Sequence, residues 1–234
     1  MSEYVIQDTV LADIADAIRE KEGSTGLIAV SDMESRIEGL GATIPPNGTE
    51  WTQSNITRKL FSDVYNANGI WVACSTGLYY SVDGKEWIQS NITSGTFRSA
   101  YNANGLWVAG GDGLYYSTDG KVWTQSNLTT GTVYTIHNAN GIWVAGGTGL
   151  YYSTDGKTWT LSNVTSGDFR STHNANGLWV AGAYAGGLYY STDGMTWTQS
   201  NITGSSFYCV HNANGIWVAS RYYSTDGKTW TQSN

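Results

Sequence analysis

One sequence feature constrains the fold more than any other: a unit of about 36 residues occurs five times. The tetrapeptide Asn-Ala-Asn-Gly begins at residues 66, 102, 138, 174 and 212. Tyr-Tyr-Ser-x-Asp-Gly recurs in step with it from residues 79, 115, 151, 189 and 222. Trp-x-x-Ser-Asn occurs six times, from residues 51, 87, 123, 159, 197 and 230. A fixed period of this length indicates a repeat architecture in which each unit is one supersecondary element.

Two turn dipeptides inside each unit predict four short strands, A to D. In the second unit, Asn104-Gly105 separates residues 97–103 from 106–109, and Asp119-Gly120 separates residues 114–118 from 121–125. Both dipeptides are typical of two-residue type I′ hairpins. A Gly-rich loop then joins B to C. Such hairpins make antiparallel neighbours, which disfavours a parallel β-helix.

A four-stranded antiparallel repeat is one propeller blade. Helical repeats are excluded because the units have no 3.6-residue apolar period. We therefore predict an all-β fold, a five-bladed β-propeller of ~36-residue four-stranded antiparallel blades, preceded by a small two-helix module. Six D strands for five blades leave one to spare, so either residues 51–55 or residues 230–234 should complete the last blade. The other copy should form an edge or contact another chain.

Charge separates the first 50 residues from the repeats. The first 50 residues contain 10 acidic and 3 basic residues, and their charge of −7 equals the net charge of the whole chain. Pro45-Pro46-Asn47-Gly48 is typical of a linker. We predict a two-helix module at residues 1–44 for attachment or oligomerisation, a linker at residues 45–50 and the propeller at residues 51–234.

Several classes of function are disfavoured by composition. The neutral repeats lack the clustered Lys and Arg that nucleic acids require, so we expect no nucleic-acid partner. No apolar run approaches the ~20 residues of a membrane span, so we expect no membrane partner. The first residues lack the pattern of a secretory signal peptide.

The N-terminal module carries two amphipathic patterns. Val10, Leu11, Ile14 and Ile18 follow a helical period, and Ser31 opens a capping-box pattern before a second apolar stripe. About 40 residues bury too little surface to be stable alone, so we expect the helices to associate, with homo-oligomers as one outcome.

The N-terminal module contains a recognisable sequence. It is Ile-Ala-Asp-Ala-Ile-Arg-Glu-Lys-Glu-Gly-Ser-Thr-Gly at residues 14–26, followed by Met33 and Ile37. The sequence resembles a helical module of tail proteins from phages and prophages of Gram-positive bacteria, over roughly residues 9–40. The resemblance implies a place on a virion tail, or outside the cell after release. It also implies that the helices contact other tail proteins or further copies of the chain.

A second resemblance lies in the repeats. Residues 153–159, Ser-Thr-Asp-Gly-Lys-Thr-Trp, and their equivalents resemble the Asp-box hairpin of sialidase-like propellers, with one residue missing between Asp and Trp. The resemblance implies a propeller hairpin and says little about activity, because Asp-boxes are structural even in sialidases.

Comparing the five units with one another points to a candidate binding face. The tight turns barely change, whereas the D-to-A loop, the second position of strand A and the B-to-C loop vary. In an up-and-down blade these three positions share one rim. Guanidinium groups and aromatic rings suit carboxylates, sugar hydroxyls and pyranose faces. The rim residues that we predict to bind a ligand are Arg98, Tyr134, Arg170, Tyr208, Asp112, Tyr184 and Arg221. The alternative is that loops without conformational demands simply drift.

The same rim offers little for catalysis. Glycoside cleavage needs two facing carboxylates, but the rim has only Asp63, Asp112 and Asp168, on three different blades. Glu86, the only Glu in the repeats, belongs to the opposite face. We therefore expect no enzymatic activity and no catalytic residues.

His137, His173 and His211 share one column with Tyr65 and Tyr101. No Asp, Glu or Cys joins this column as a further ligand, so we expect neither a metal nor another cofactor. Six Asn-x-Thr sequences resemble glycosylation sites, but we interpret them as repeat chemistry.

Most of the 11 Trp residues are expected to pack in the core. Cys74 and Cys209 are expected to be free thiols because they occupy different strand positions.

As function we predict non-catalytic, multivalent, lectin-like binding of a glycan or a bacterial cell-surface receptor, with avidity across near-identical blades. The alternative is a structural or protein-interaction module of a virion tail. A sialidase-like glycosidase is the less favoured hypothesis.

Overall fold

The computed structural model describes residues 53–56 and 59–233, whose regular structure consists of twenty β-strands. The predictions for residues 1–50 lie outside the described residues. The strands form five four-stranded antiparallel sheets, each with its strands in chain order. The predicted all-β, five-bladed β-propeller is confirmed. In the described part of the chain, no helix has the length and apolar character needed to cross a membrane.

The strands are numbered in chain order, four to a blade. Blade 1 contains β1 (Asp63–Ala67), β2 (Ile70–Ser75), β3 (Gly77–Ser81) and β4 (Ile88–Gln89). Blade 2 contains β5 (Phe97–Ala103), β6 (Leu106–Gly111), β7 (Gly113–Ser117) and β8 (Thr124–Gln125). Blade 3 contains β9 (Val133–Ala139), β10 (Ile142–Gly147), β11 (Leu150–Ser153) and β12 (Thr160–Leu161). Blade 4 contains β13 (Phe169–Ala175), β14 (Leu178–Ala183), β15 (Gly187–Ser191) and β16 (Thr198–Gln199). Blade 5 contains β17 (His211–Ala213), β18 (Ile216–Ala219), β19 (Tyr222–Ser224) and β20 (Thr231–Gln232).

The A-to-B turns form as predicted. Asn104 and Gly105, between β5 and β6, have φ angles of 51° and 81°. Two consecutive positive φ angles define a type I′ turn, which matches the right-handed twist of the flanking strands. The equivalent Asn-Gly pairs of the other four blades have the same conformation.

The C-to-D connection differs from its prediction. At Asp119-Gly120 only the glycine has a positive φ, 72°, so the turn is not type I′. Strand D shortens to two residues, and residues 118–123 form a longer loop. Gly120 has a second reason to be glycine, because a Cβ there would lie 3.0 Å from the Ile70 side chain of blade 1.

Side-chain hydrogen bonds explain the longer loop. The Ser117 hydroxyl donates to Asp119 Oδ1 at 2.9 Å and accepts the N–H of Gly120 at 2.9 Å. The same carboxylate oxygen accepts the N–H groups of Lys121 and Val122, each at 2.9 Å. These bonds satisfy backbone donors that a two-residue turn would have paired in the ladder. Every blade repeats this arrangement, at Ser81, Ser117, Ser153, Ser191 and Ser224.

Apolar residues fill the four junctions between consecutive blades. At each of these junctions, the strand-B Val of one blade packs in one cluster with the strand-B Trp of the following blade. At the first junction, Val72 of blade 1 packs in one cluster with Phe97 and Trp107 of blade 2. Nine of the Trp residues are buried, as predicted: Trp87, Trp107, Trp123, Trp143, Trp159, Trp179, Trp197, Trp217 and Trp230.

A polar clamp joins the outer edges of the blades. Asn127, which follows strand D of blade 2, accepts the Trp159 N–H of blade 3 at 2.8 Å and donates to the Trp159 carbonyl at 2.9 Å. One side chain thus pairs with the backbone as a neighbouring strand would. The same pair of bonds occurs at Asn55, Asn91, Asn163 and Asn201.

The last blade is completed by the C-terminal copy of strand D. β20 pairs with β19, with Tyr222 opposite Gln232. Asn55, which belongs to the N-terminal copy, lies against blade 1, where its Oδ1 accepts the Trp87 N–H at 2.8 Å. The structure therefore selects residues 230–234 from the two segments that the sequence left open. Both cysteines are free, with Cys74 buried and Cys209 exposed.

The clamp gives a first prediction. Asn127→Ala leaves the N–H and the carbonyl of Trp159 without their partner, so we expect the free energy of unfolding to fall by about 1–3 kcal/mol. Asn66→Ala is the control, because the Asn66 amide makes one exposed bond within its own hairpin and should change stability by no more than about 0.5 kcal/mol. Urea unfolding followed by Trp fluorescence measures both. Equal losses in the two variants would contradict a structural role of the clamp.

Candidate functional site

The varied loops meet on one rim of the propeller, as predicted. The B-to-C loop of each blade contacts the D-to-A loop beside it: Gly77 N–H donates to the Gly95 carbonyl at 2.9 Å, and Asp112 N–H donates to the Thr96 carbonyl at 3.1 Å. The A-to-B and C-to-D turns lie at the opposite ends of the same antiparallel strands. The rim is therefore built from loops that bond to one another.

Four of the predicted residues form one row on this rim, which we call the rim row: Arg98, Tyr134, Arg170 and Tyr208. Each occupies the second position of strand A, or the residue equivalent to it, in blades 2 to 5. The Arg98 guanidinium carbon lies 5.2 Å from the Tyr134 ring centroid, and that of Arg170 lies 3.7 Å from it. Two cations from the neighbouring blades thus hold one aromatic ring between them, a cation–π arrangement.

An ion pair fixes one end of Arg170. Its Nη2 donates to Asp168 Oδ2 at 2.6 Å, and both side chains are 31% exposed. This bond is the main reason that the pKa of Arg170 is raised, and Tyr134 and Tyr208 add to the effect. Asp168 therefore positions Arg170 within the row. The sequence placed Asp168 on the rim as a carboxylate but gave no sign of this pairing.

Several polar atoms of the row are unused. Among the atoms that the structure describes, Arg98 Nε, Arg170 Nε and Asp168 Oδ1 are buried and have no hydrogen-bond partner. A buried polar group without a partner costs free energy, typically ~1–3 kcal/mol. Because these atoms have almost no contact with solvent, a ligand that covers the row would meet the exposed parts of the Asp168 and Arg170 side chains, which are 31% exposed.

Tyr184 extends the row beyond its fourth member. Its ring lies 5.7 Å from the ring of Tyr208, tilted by 53°. The B-to-C loop of blade 4 brings it there, because Tyr184 N–H donates to the Asp168 carbonyl at 2.7 Å and Ala185 N–H donates to the Ser206 hydroxyl at 3.1 Å. The sequence signal for this loop is the 38-residue spacing between Asn174 and Asn212, two residues longer than the others.

The remaining two candidates, Asp112 and Arg221, contact residues of their own surroundings. Asp112 stabilises its own loop, because its carboxylate accepts the Thr96 N–H at 3.1 Å. Arg221 lies over the Tyr222 ring of blade 5, with 5.8 Å between the guanidinium carbon and the centroid. Hydrogen bonds from Ser205 and Arg221 lower the pKa of Tyr222.

A cavity that sequence reasoning missed lies on the rim at blade 1. Its volume is 320 Å³. Ser62 stands there at the position of the Arg and Tyr side chains of the rim row, and the small side chain leaves the space open. The lining residues are Lys59, Leu60, Ser62, Ser75, Thr76 and Thr96.

The column that contains the histidines forms a stack of rings across the A strands of the five blades. Neighbouring rings lie 4.9 Å apart between Tyr65 and Tyr101, 5.0 Å between Tyr101 and His137, 5.4 Å between His137 and His173, and 4.6 Å between His173 and His211. Burial, helped by the charge of His173, lowers the pKa of His137 to about 4. No group of three or more His, Cys, Asp or Glu side chains suited to a metal ion occurs within residues 53–56 and 59–233.

Comparison with known proteins gives the fold. No family model matches the chain, and no curated protein matches it. Among solved structures, the chain is similar to the computationally designed Ika8 protein, with 11% identity over 68% of this chain and 56% of that one and a TM-score of 0.55. A structure of YCF48 bound to D1 peptide matches with 15% identity over 79% of this chain and 70% of that one, at a TM-score of 0.55.

A GH74 xyloglucanase from Xanthomonas campestris matches with 12% identity over 74% of this chain and 38% of the enzyme, at a TM-score of 0.54. The chain thus spans little more than half of Ika8 and about two fifths of the xyloglucanase. At these identities the likeness shows a β-propeller fold and nothing further, since one fold carries many functions. The resemblances to phage tail proteins and to Asp-box propellers stay predictions.

The histidine column gives a second prediction. Because the native pKa of His137 lies near 4 and the unfolded value near 6.5, the unfolded chain binds the extra proton first as pH falls through this range. Stability is therefore lost between pH 6.5 and pH 4. One pKa unit corresponds to ~1.4 kcal/mol, and partial exposure reduces the effect, so we expect His137 to account for a loss of about 1–2 kcal/mol.

His137→Tyr, the residue that blade 2 carries at Tyr101, should remove this part of the acid loss. Urea unfolding at pH 7 and pH 4.5 measures the difference, above the range where most Asp side chains titrate. The prediction fails if wild type and variant lose the same free energy between the two pH values.

Proposed function

We propose that the rim row binds a carbohydrate that carries acidic groups, and that it does so without catalysis. The observation that carries this proposal is the pair of guanidinium groups, Arg98 and Arg170, that meet at the Tyr134 ring on the rim. A guanidinium group presents planar donors that match a carboxylate or a phosphate. The rings of Tyr184 and Tyr208, which are 48% and 63% exposed, match the apolar face of a sugar.

The spacing of the row favours an extended ligand. Each of four blades contributes one side chain, so successive units of a polysaccharide would meet Arg, Tyr, Arg and Tyr in turn. Binding is then multivalent along one strip, with Tyr184 at one end and the 320 Å³ cavity of blade 1 on the same rim at the other. Linked weak contacts of this kind raise affinity by avidity.

The state of the rim carboxylates supports a binding role over catalysis. Asp112 accepts the Thr96 N–H, and Asp168 pairs with Arg170. Asp63 accepts the Ala100 N–H at 2.9 Å, while burial raises its pKa. Each carboxylate is thus engaged by a neighbouring loop or strand. Glycoside cleavage instead needs two carboxyl groups that face each other a few ångströms apart.

The setting of this function remains part of the proposal. The motif at residues 14–26 supports a phage-tail protein that acts on a virion or outside the cell, with a bacterial cell-surface glycan or receptor as the partner. The N-terminal helices would then join the propeller to other tail proteins or to further copies of the chain. A structural or protein-interaction role in the tail is the alternative.

A double substitution tests the proposal. We expect Arg98→Ala with Arg170→Ala to weaken binding of the full chain to an acidic polysaccharide by about 100-fold, because each charge-assisted bond contributes ~1.5 kcal/mol or more and 1.4 kcal/mol is a factor of ten. The measurement is binding to a panel of immobilised acidic and neutral glycans and bacterial cell-wall polysaccharides, at two salt concentrations.

The chain offers a matched control on the opposite rim. Lys121 and Lys157 lie over Tyr80 and Tyr116, at 5.7 Å and 5.5 Å, on C-to-D loops. Lys121→Ala with Lys157→Ala removes the same charge and two cation–π contacts, and it should bind as wild type does. If both double variants weaken glycan binding equally, the rim row is not the binding site. No binding across the panel by folded protein would favour the protein-interaction role.

A further inference from the structure

The two ends of the blade array expose apolar residues whose equivalents are buried at the junctions between blades. At each of the four internal junctions, the strand-B Val of one blade is 0% exposed against the strand-B Trp of the next blade. Each blade therefore has a Val side and a Trp side. The Val and Trp pairs are Val72 with Trp107, Val108 with Trp143, Val144 with Trp179, and Val180 with Trp217.

The fifth Val and the first Trp of this series are uncovered. Val218 of blade 5 is 49% exposed, with Ile216 and Tyr223 exposed beside it. Trp71 of blade 1 is 37% exposed, and Val64 is 42% exposed. We call the first group the valine face and the second group the tryptophan face. They are the two halves of one further junction of the same kind.

A series of hydrogen bonds between the A strands of successive blades also stops at the end of the array. Asp63 Oδ2 accepts the Ala100 N–H of the next blade at 2.9 Å. Ser99 accepts the Ile136 N–H at 3.3 Å, and Ser171 accepts the Val210 N–H at 3.0 Å. Cys209 occupies the next position in this series, on the side of the valine face, and it is exposed.

We propose that the valine face of one chain docks on the tryptophan face of a second copy, blade 5 against blade 1. The occupant is identified by the four internal junctions, because each already joins these two faces with the same residues in the same columns. Both faces are exposed within a single chain, so its own ends do not cover each other. This contact is head to tail and uses two different surfaces, unlike the two-fold contacts of most dimers.

The outer edge of the tryptophan face is compatible with this docking. Asn55 clamps Trp87 there, in the role that the residue after strand D plays at every internal junction. Residues 230–234 of a docked copy have the same sequence, Trp-Thr-Gln-Ser-Asn, as residues 51–55. Either segment can therefore supply the clamp, and the strand-A and strand-B contacts form in both cases.

A disulfide across the proposed contact tests it. In the docked pair, Cys209 of one chain takes the place of Ser171 beside Val210, and Val64 of the other chain takes the place of Val210. With Val64→Cys in the full chain, we expect mild oxidation to give covalent species at twice the 25.4 kDa of one chain or at higher multiples. Cys74 is buried and does not compete. The products are read on a non-reducing denaturing gel and by mass spectrometry of the linked peptides.

Two further substitutions in the Val64→Cys background separate this contact from chance encounters or from association through the N-terminal module. Val218→Asp should reduce cross-linking at least tenfold, because the charge lies on the valine face. Val122→Asp makes the same change at a 63% exposed Val on a C-to-D loop and should leave cross-linking unchanged. Cys209→Ser should abolish it.

Other outcomes overturn the proposal. A disulfide that joins Cys209 to the thiol introduced by Val64→Cys within a single chain would mean that the propeller closes on itself. Absence of the linked species, or cross-linking that is insensitive to Val218→Asp, would mean that the two faces do not meet between copies. None of these results bears on the rim row, whose glycan binding is measured separately.

Discussion

The fold depends on one contact that recurs at every blade junction, the bidentate hydrogen bond between an Asn side chain and the backbone of a Trp in the next blade. Strand D has only two residues and makes few ladder bonds, so the outer edge of a blade has little stability of its own. The amide of Asn127 supplies both an acceptor and a donor to Trp159, as a paired strand would. Because the indole of the same Trp is buried in the blade core, one residue connects the polar edge with the apolar interior.

This contact also explains a sequence feature that resembles something else. Each clamping Asn belongs to an Asn-x-Thr sequence, the acceptor pattern for N-glycosylation. The Nδ2 atom to which a glycan would be attached donates to a Trp carbonyl in the next blade, as Asn163 does to Trp197 at 2.9 Å. The packing of the blades therefore explains the Asn of this pattern in the repeats.

Much of the fold could be predicted because it follows from local rules. The Asn-Gly turns require two positive φ angles, and the repeat period counts the blades, so strand A of blade 2 was predicted with its observed ends, Phe97 and Ala103. The predicted type of the C-to-D turn was wrong because the dipeptide rule ignores side chains. Ser117 and Asp119 satisfy the loop donors themselves, and Gly120 must also avoid Ile70 of another blade. Contacts between blades are not visible in a local pattern.

The same division applies to the rim. The comparison of repeats identified Arg98, Tyr134, Arg170 and Tyr208 because nothing in a turn or a junction dictates them. It could not separate Asp112, whose carboxylate holds its own loop, from side chains that remain available. It also overlooked the cavity at Ser62, since a small residue looks uninformative until its neighbours are known. The residue types predicted which chemical groups lie on the rim. The hydrogen bonds of each loop determine which of those groups remain available to a ligand.

An array built from one kind of junction ends, whatever its number of blades, with half a junction at each side. The strand-B Val always faces the following unit and the strand-B Trp always faces the preceding one, so adding or removing a unit of about 36 residues changes the distance between the ends without changing their chemistry. Repetition therefore makes the fold tolerant of duplication, and it leaves two complementary apolar faces in an array whose ends do not meet. The side chains of the rim take no part in the Val and Trp packing of the junctions. Arg98, Tyr134 and Arg170 can therefore differ from blade to blade while they contact one another across two junctions.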